Sequence, residues 1–227
     1  MTANRLDTTL MRRMDALEKI YARIDLEHAS FRRSTAERGK AVACPARCGN
    51  CCVHFVPDVM PIEADCLALF LLTERPALID RFFARREDSY ARDAACPFWD
   101  ESKPGENCMV YPGRALICRL FGFCSVQNKI GEPAFALCHS MPPVPGEETR
   151  HFTGAARMTE LFGAVPPPMA DFSGEIVALD PGEAGRRASI LDALPSALSR
   201  VALVLRLGAE ETVPDDDRPS ADSIAAS

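Results

Sequence analysis

Residues 44–52 read Cys-Pro-Ala-Arg-Cys-Gly-Asn-Cys-Cys, which puts Cys44, Cys48, Cys51 and Cys52 in one short stretch. Thiols three and four residues apart in a loop converge when the backbone turns tightly, and a glycine such as Gly49 permits that turn and lets amides point at sulfur. Such a density of cysteine is the mark of metal ligation rather than packing. The adjacent pair Cys51-Cys52 carries two readings. Either one ligates while the other packs, or the two serve different or bridged centres.

Six more cysteines follow: Cys66, Cys96, Cys108, Cys118, Cys124 and Cys138. Arg5, Arg12 and Arg13 near the start are not followed by an apolar run of the kind an export signal needs. The expected location is therefore the cytoplasm, where disulfides are reduced and clustered thiols act as ligands. Cys66 sits in an apolar helical run, and a free cysteine there behaves as a small hydrophobe. Structural zinc favours paired C-x2-C knuckles, and only Cys48 and Cys51 have that spacing. An iron–sulfur cluster takes thiolates that are close together plus a remote one, which Cys44, Cys48 and Cys51 match better. Ligand softness admits both, with the iron–sulfur cluster favoured over zinc.

The rest of the composition narrows the class. The chain has 227 residues, of which 47% are hydrophobic, enough for a real core. Its net charge of −6 argues against a nucleic-acid partner held by overall charge. Residues 209–227 carry six carboxylates against Arg218, a charge of −5, which leaves only −1 for the remainder. That acidic end reads as a disordered tail. The longest apolar stretch, from Cys66 to Leu72, is too short to span a membrane.

The expected fold class is mainly α with irregular Cys-rich loops: a small metal-stapled domain plus a C-terminal helix. An N-terminal helix occupies residues 1–40, with Leu10, Met14, Leu17, Tyr21, Ile24, His28 and Phe31 on a heptad stripe. That stripe packs on its own domain or takes a protein partner. Residues 41–165 form the cysteine-cluster domain, with helices expected over 62–73, 76–91 and 153–162. The Gly-, Pro- and Cys-rich stretch over 96–138 buries too little apolar surface alone and needs a metal staple. Pro166-Pro167-Pro168 opens a stiff linker within 166–208, which ends in a helix over 184–207 interrupted by Pro195.

The order of the motifs adds a resemblance. Cys44-x3-Cys48-Gly49-x-Cys51-Cys52, then Cys96-Pro97-Phe98, then Cys108-x2-Tyr111-x2-Arg114-x3-Cys118-Arg119-x-Phe121 resembles the YkgJ-type cysteine cluster family. That family is also described as a zinc- or iron-chelating domain, and it includes proteins similar to flagellin lysine-N-methylase. The resemblance covers roughly residues 41–140. It departs from the family where Arg114 is followed by Ala115 instead of proline. The family leaves a long gap after its Cys-Arg-x-Phe, which matches Cys138 rather than Cys124 to the last ligand. The resemblance thus implies the metal ligands Cys44, Cys48, Cys51, Cys52, Cys96, Cys108, Cys118 and Cys138.

Arg114 and Arg119 flank Cys118 and are candidate cofactor-binding residues, donating hydrogen bonds to sulfur or forming an ordinary salt bridge. Tyr111 either donates likewise or packs on Phe121 and Phe123. His54 and His139 lie beside ligand cysteines but read as surface residues. Trp99 reads as a core side chain that shields the metal from water. Three functions follow: a metal-binding protein with no assigned reaction, a metal-dependent enzyme of protein methylation or redox chemistry, or an adaptor stapled by zinc. The enzyme reading lacks a nucleotide-binding Gly-x-Gly-x-x-Gly loop.

Overall fold

The computed structural model describes residues 3–44 and 48–211, with side chains placed for 9–44 and 48–208. Of the disordered acidic tail expected over 209–227, residues 209–211 are instead helical, and the rest lies outside the described residues. Helix α1 spans Ala3–Glu37, and its heptad stripe is spent inside the chain. Met14, Leu17, Tyr21, Ile24, His28 and Phe31 are all buried. Helix α2, Pro61–Glu74, begins with proline at its first turn, where a missing N–H costs nothing. It has no single apolar face, because α1 covers one side and the C-terminal helix the other.

Helix α3 covers Ala77–Arg86, shorter than the expected 76–91 because a 3-10 turn at Asp88–Tyr90 replaces its end. Helix α4 is the short Leu116–Leu120. Helix α5, Ala155–Phe162, follows a strand, so the expected start at 153 is extended backbone instead. Helix α6, Met169–Leu179, buries Phe172 and Ile176. Helix α7 runs Ile190–Glu211. The strands are short. β1 (Asp58–Val59) pairs antiparallel with β5 (Ala188–Ser189). β2 (Val126–Gln127), β3 (Pro133–Ala136) and β4 (His151–Thr153) form a three-stranded antiparallel sheet.

The proline run does not act as a free linker. Ser125 donates its amide to the Pro167 carbonyl at 2.9 Å and its hydroxyl to the Pro166 carbonyl at 2.8 Å. Residues beyond 166 are packed into the same body, with α7 lying along α2. Pro195 stands inside α7 and has no N–H for the Leu191 carbonyl one turn earlier. Arg86 on α3 supplies that donor, with its Nε 2.8 Å from the Leu191 oxygen. The helix therefore continues through the proline without a buried orphan acceptor.

Three apolar clusters build the interior. The first joins α2, α3 and α7 and includes Cys52, Cys96 and Cys108. The second joins α1, α2, α4 and α6. The third packs Phe31 of α1 against Phe135, Phe152 and Phe162, with edge-to-face rings 5.0–5.8 Å apart across Phe162. Among the described residues, no helix is long and apolar enough to cross a membrane.

A thiol-lined candidate metal centre

The Cys-rich segments close over one face of α1 and α2 and leave a cavity of about 670 Å³. Cys44, Cys48, Cys51, Cys52, Cys108, Cys118 and Cys138 line it. Cys96 stands behind Cys52, buried in the first apolar cluster. All ten cysteines are free thiols. Cys124 is not part of this lining. It is buried beside α1, with its sulfur 3.5 Å from His28 Nε2. Cys66 packs on the second cluster, as an apolar residue would, but it also reaches the cavity wall.

Gly49 is what allows the first loop to close. Its φ is +65°, a left-handed conformation open to glycine. A Cβ there would lie 2.8 Å from the Cys108 amide nitrogen and 2.9 Å from the Asn107 Cβ. The loop of Cys48 to Cys52 thus presses directly on the strand-like backbone of Cys108. On the far side, Gly122 at φ +82° lets the chain turn beneath Met141 and Cys138.

Backbone hydrogen bonds lock the thiols in place. The Cys96 amide donates to the Cys52 carbonyl at 2.8 Å, and the Trp99 amide to the Cys96 carbonyl at 2.9 Å. Trp99 in turn bridges Cys108 in antiparallel fashion. It packs on the first cluster rather than over the cavity, with its indole N–H buried and unpaired.

The sulfurs interact strongly. Those of Cys51 and Cys52 are 3.9 Å apart. Hydrogen bonding by Cys52, aided by the Arg114 charge against burial, lowers the Cys51 thiol to about 7. Its bonds to Cys108, Cys51 and Cys96 push the Cys52 thiol far up. Cys52 likewise lowers Cys108, helped by the Val110 amide and Arg114. Burial raises Cys118, with the charges of Cys96, Cys108 and Cys51 adding to it. Burial, then the neighbours Cys48, Cys138 and Cys51, push Cys44 up to about 12. Ionising the whole set in this space needs a cation to take up the charge.

The two arginines hold the frame. The Arg119 guanidinium donates to the carbonyls of Arg114 (3.0 Å) and Pro112, pairs with Asp25 at 3.2 Å, and lies 4.2 Å from the centre of the Tyr21 ring. Its donors go to backbone and a carboxylate, not to sulfur. Arg114 stacks on Tyr111 at 3.5 Å and donates to the carbonyls of Tyr111 (3.0 Å) and Cys118 (3.4 Å). Tyr111 therefore pairs with Arg114 rather than with Phe121 and Phe123. Arg114 reaches the thiols through its field. His54 is exposed and meets the Asp93 carbonyl at 3.1 Å; His139 is exposed.

One wall went unread in the sequence. Glu18, Tyr21, Asp25, His28 and Arg32 of α1 all face the cavity. Their spacing of three and four is a helix face, and the polar residues on it were the signal that it borders a site. Burial lowers the His28 imidazole to about 4, with Arg114, Arg119 and Arg32 opposing the effect of Asp25.

The donor set is soft and suits a thiolate-bound metal, and the cavity at Gly49 would not survive an added Cβ. Four thiolates on one zinc lie about 3.8 Å from one another, from Zn–S bonds of about 2.3 Å. Among the described residues, no three Cys, His, Asp or Glu side chains converge on one point in that way.

Comparison with protein families supports metal binding in general. Residues 43–139 match the family model CxxCxxCC, described as "Putative zinc- or iron-chelating domain". Comparison with curated proteins and with solved structures finds no match. The matched stretch begins one residue before Cys44 and ends one after Cys138, so it frames the thiol-lined cavity. Over residues 43–139 this chain is thus similar to that zinc- or iron-chelating cysteine-cluster family.

Proposed function

We propose that the chain is a metal-binding protein of a reducing compartment, the cytoplasm, that holds an iron–sulfur centre through Cys44, Cys48, Cys51, Cys52, Cys96, Cys108, Cys118 and Cys138. One observation carries this reading: seven of these thiols line a single cavity with Cys96 against Cys52, yet they surround space instead of meeting at a point. A cluster binds each thiolate through a different iron, so its ligands stand wider apart than those of one ion. The cavity of about 670 Å³ also exceeds what a single ion fills.

When bound, the centre supplies a redox-active or Lewis-acidic metal. The chain's own residues do the rest. Arg114 offsets negative charge beside Cys51, Cys108 and Cys118. Arg119 pins the α4 segment that carries Cys118. Cys124 stands outside the ligand set, in keeping with its place behind His28.

The test is iron, sulfide and zinc analysis with an absorption spectrum on protein purified without oxygen. Matching iron and sulfide with broad visible absorption supports the reading. Colourless protein with stoichiometric zinc moves the function to a zinc-stapled adaptor, and protein with neither metal rejects it.

An enzymatic role is the second reading, favoured by the space beyond the thiols. Glu18, Asp25, Phe70 and Glu74 line the same cavity as the thiols. Such a wall offers a substrate both carboxylates and an aromatic face.

A further inference from the structure

We infer that the eight cysteines form two neighbouring centres of four thiolates each, Cys44, Cys48, Cys51 and Cys138 in one and Cys52, Cys96, Cys108 and Cys118 in the other. This rests on the thiolate-metal reading above and assigns its ligands.

The partition follows from packing. Cys52, Cys96 and Cys108 belong to the apolar cluster of α2, α3 and α7. Cys44 and Cys138 pack on a different one, with Phe135, Phe152 and Phe162 at the end of α1. Main-chain bonds repeat the division. The Cys96 amide is bound to Cys52 at 2.8 Å, and Trp99, three residues on, bridges Cys108. On the other side, Gly122 turns beneath Cys138, and Arg150 donates to the Cys138 carbonyl at 2.8 Å.

The side chains divide in the same way. The Cys52 thiol has those of Cys108 and Cys96 as neighbours, and Cys118 likewise has Cys96 and Cys108. Cys44 has Cys48 and Cys138 as its own. Cys51 stands between the groups: it packs on the same apolar cluster as Cys52, with the two sulfurs 3.9 Å apart, and it also neighbours Cys44. The second group already holds four thiols, so Cys51 completes the first.

Stoichiometry argues for the same arrangement. A structural zinc or a cubane takes four thiolates. One such centre here would leave four cysteine side chains idle around a cavity. Two centres use all eight, and the Cys51-Cys52 peptide joins them. Arg114, whose field reaches Cys51 on one side and Cys108 and Cys118 on the other, lies where it offsets the charge of both.

The experiment is metal and sulfide analysis of the full chain, purified or reconstituted without oxygen, beside Cys44→Ser, Cys138→Ser, Cys96→Ser and Cys118→Ser. The wild type is expected to hold about eight iron and eight sulfide, twice a single cubane, or about two zinc. Each variant is expected to keep half, and Cys44→Ser with Cys118→Ser to lose both. Wild-type protein saturating at one centre overturns the inference while leaving the metal-binding reading intact. A single substitution that empties all metal from a chain with native helical circular dichroism also overturns it. The wild-type count needs no variant to fold. A wild type without iron or zinc rejects the underlying reading itself.

Discussion

Glu63 on α2 accepts the Leu116 amide at the start of α4 at 2.6 Å. The same buried carboxylate accepts the Met60 amide at 2.8 Å and the Tyr21 hydroxyl at 3.1 Å. One side chain thus ties α1, α2 and the segment bearing Cys118 and Arg119. Charge-assisted bonds of this kind contribute more than neutral ones, and a buried partner left unpaired costs about 1–3 kcal/mol. Glu63→Gln is expected to lower stability by about 2 kcal/mol, and Tyr21→Phe by about 1 kcal/mol. Urea midpoints check both. Equal stability of Glu63→Gln and the wild type would contradict the clamp.

Gly49 offers a second test. Alanine there meets both a disfavoured φ and the Cys108 backbone at 2.8 Å. Gly49→Ala is expected to lose most bound metal and to melt several degrees lower. Gly39 also has positive φ but nothing within 4 Å of a built Cβ. Gly39→Ala therefore pays backbone strain alone and keeps its metal. Equal metal loss in the two variants would show that the close approach of the loop is irrelevant.

Much of the fold was legible. The heptad stripe of α1 and the body of α2 over 62–73 were read from the residues. Other parts were not. Strands of two to four residues are too short to show alternation. Helix α6 was hidden behind Pro166–Pro168, which reads as a linker until Ser125, 41 residues earlier, is seen to bind it. The candidate ligands were legible because cysteine is chemically distinctive. Arginine roles were not, since a charge does not name its partner: Arg119 spends its donors on Asp25 and carbonyls, and Arg86 serves Pro195.

That last pair makes a coupling prediction. Arg86→Ala leaves the Leu191 carbonyl without a donor and is expected to cost about 1–2 kcal/mol. In a Pro195→Ala background the helix supplies its own N–H, so the same change costs less. A double-mutant cycle measured by urea unfolding gives the coupling. Strict additivity would contradict it.

His28 predicts a pH dependence. Its folded value of about 4 lies below the ordinary 6.5, so the native state holds it neutral while the unfolded chain takes up a proton. The contribution is fully present above pH 6.5 and is lost as pH falls toward 4. At about 1.4 kcal/mol per pH unit, the loss is roughly 3 kcal/mol. His28→Gln, which does not titrate, is expected to flatten the stability profile relative to wild type over that window. Parallel profiles would contradict the assignment.

The central claim is that cavity thiols hold the metal. X-ray absorption at the edge of whichever metal is found tests it most directly. A first shell of sulfur at about 2.3 Å is expected, unchanged in Cys66→Ser and Cys124→Ser, with the amount of bound metal lowered in Cys48→Ser. A shell dominated by nitrogen or oxygen would contradict it.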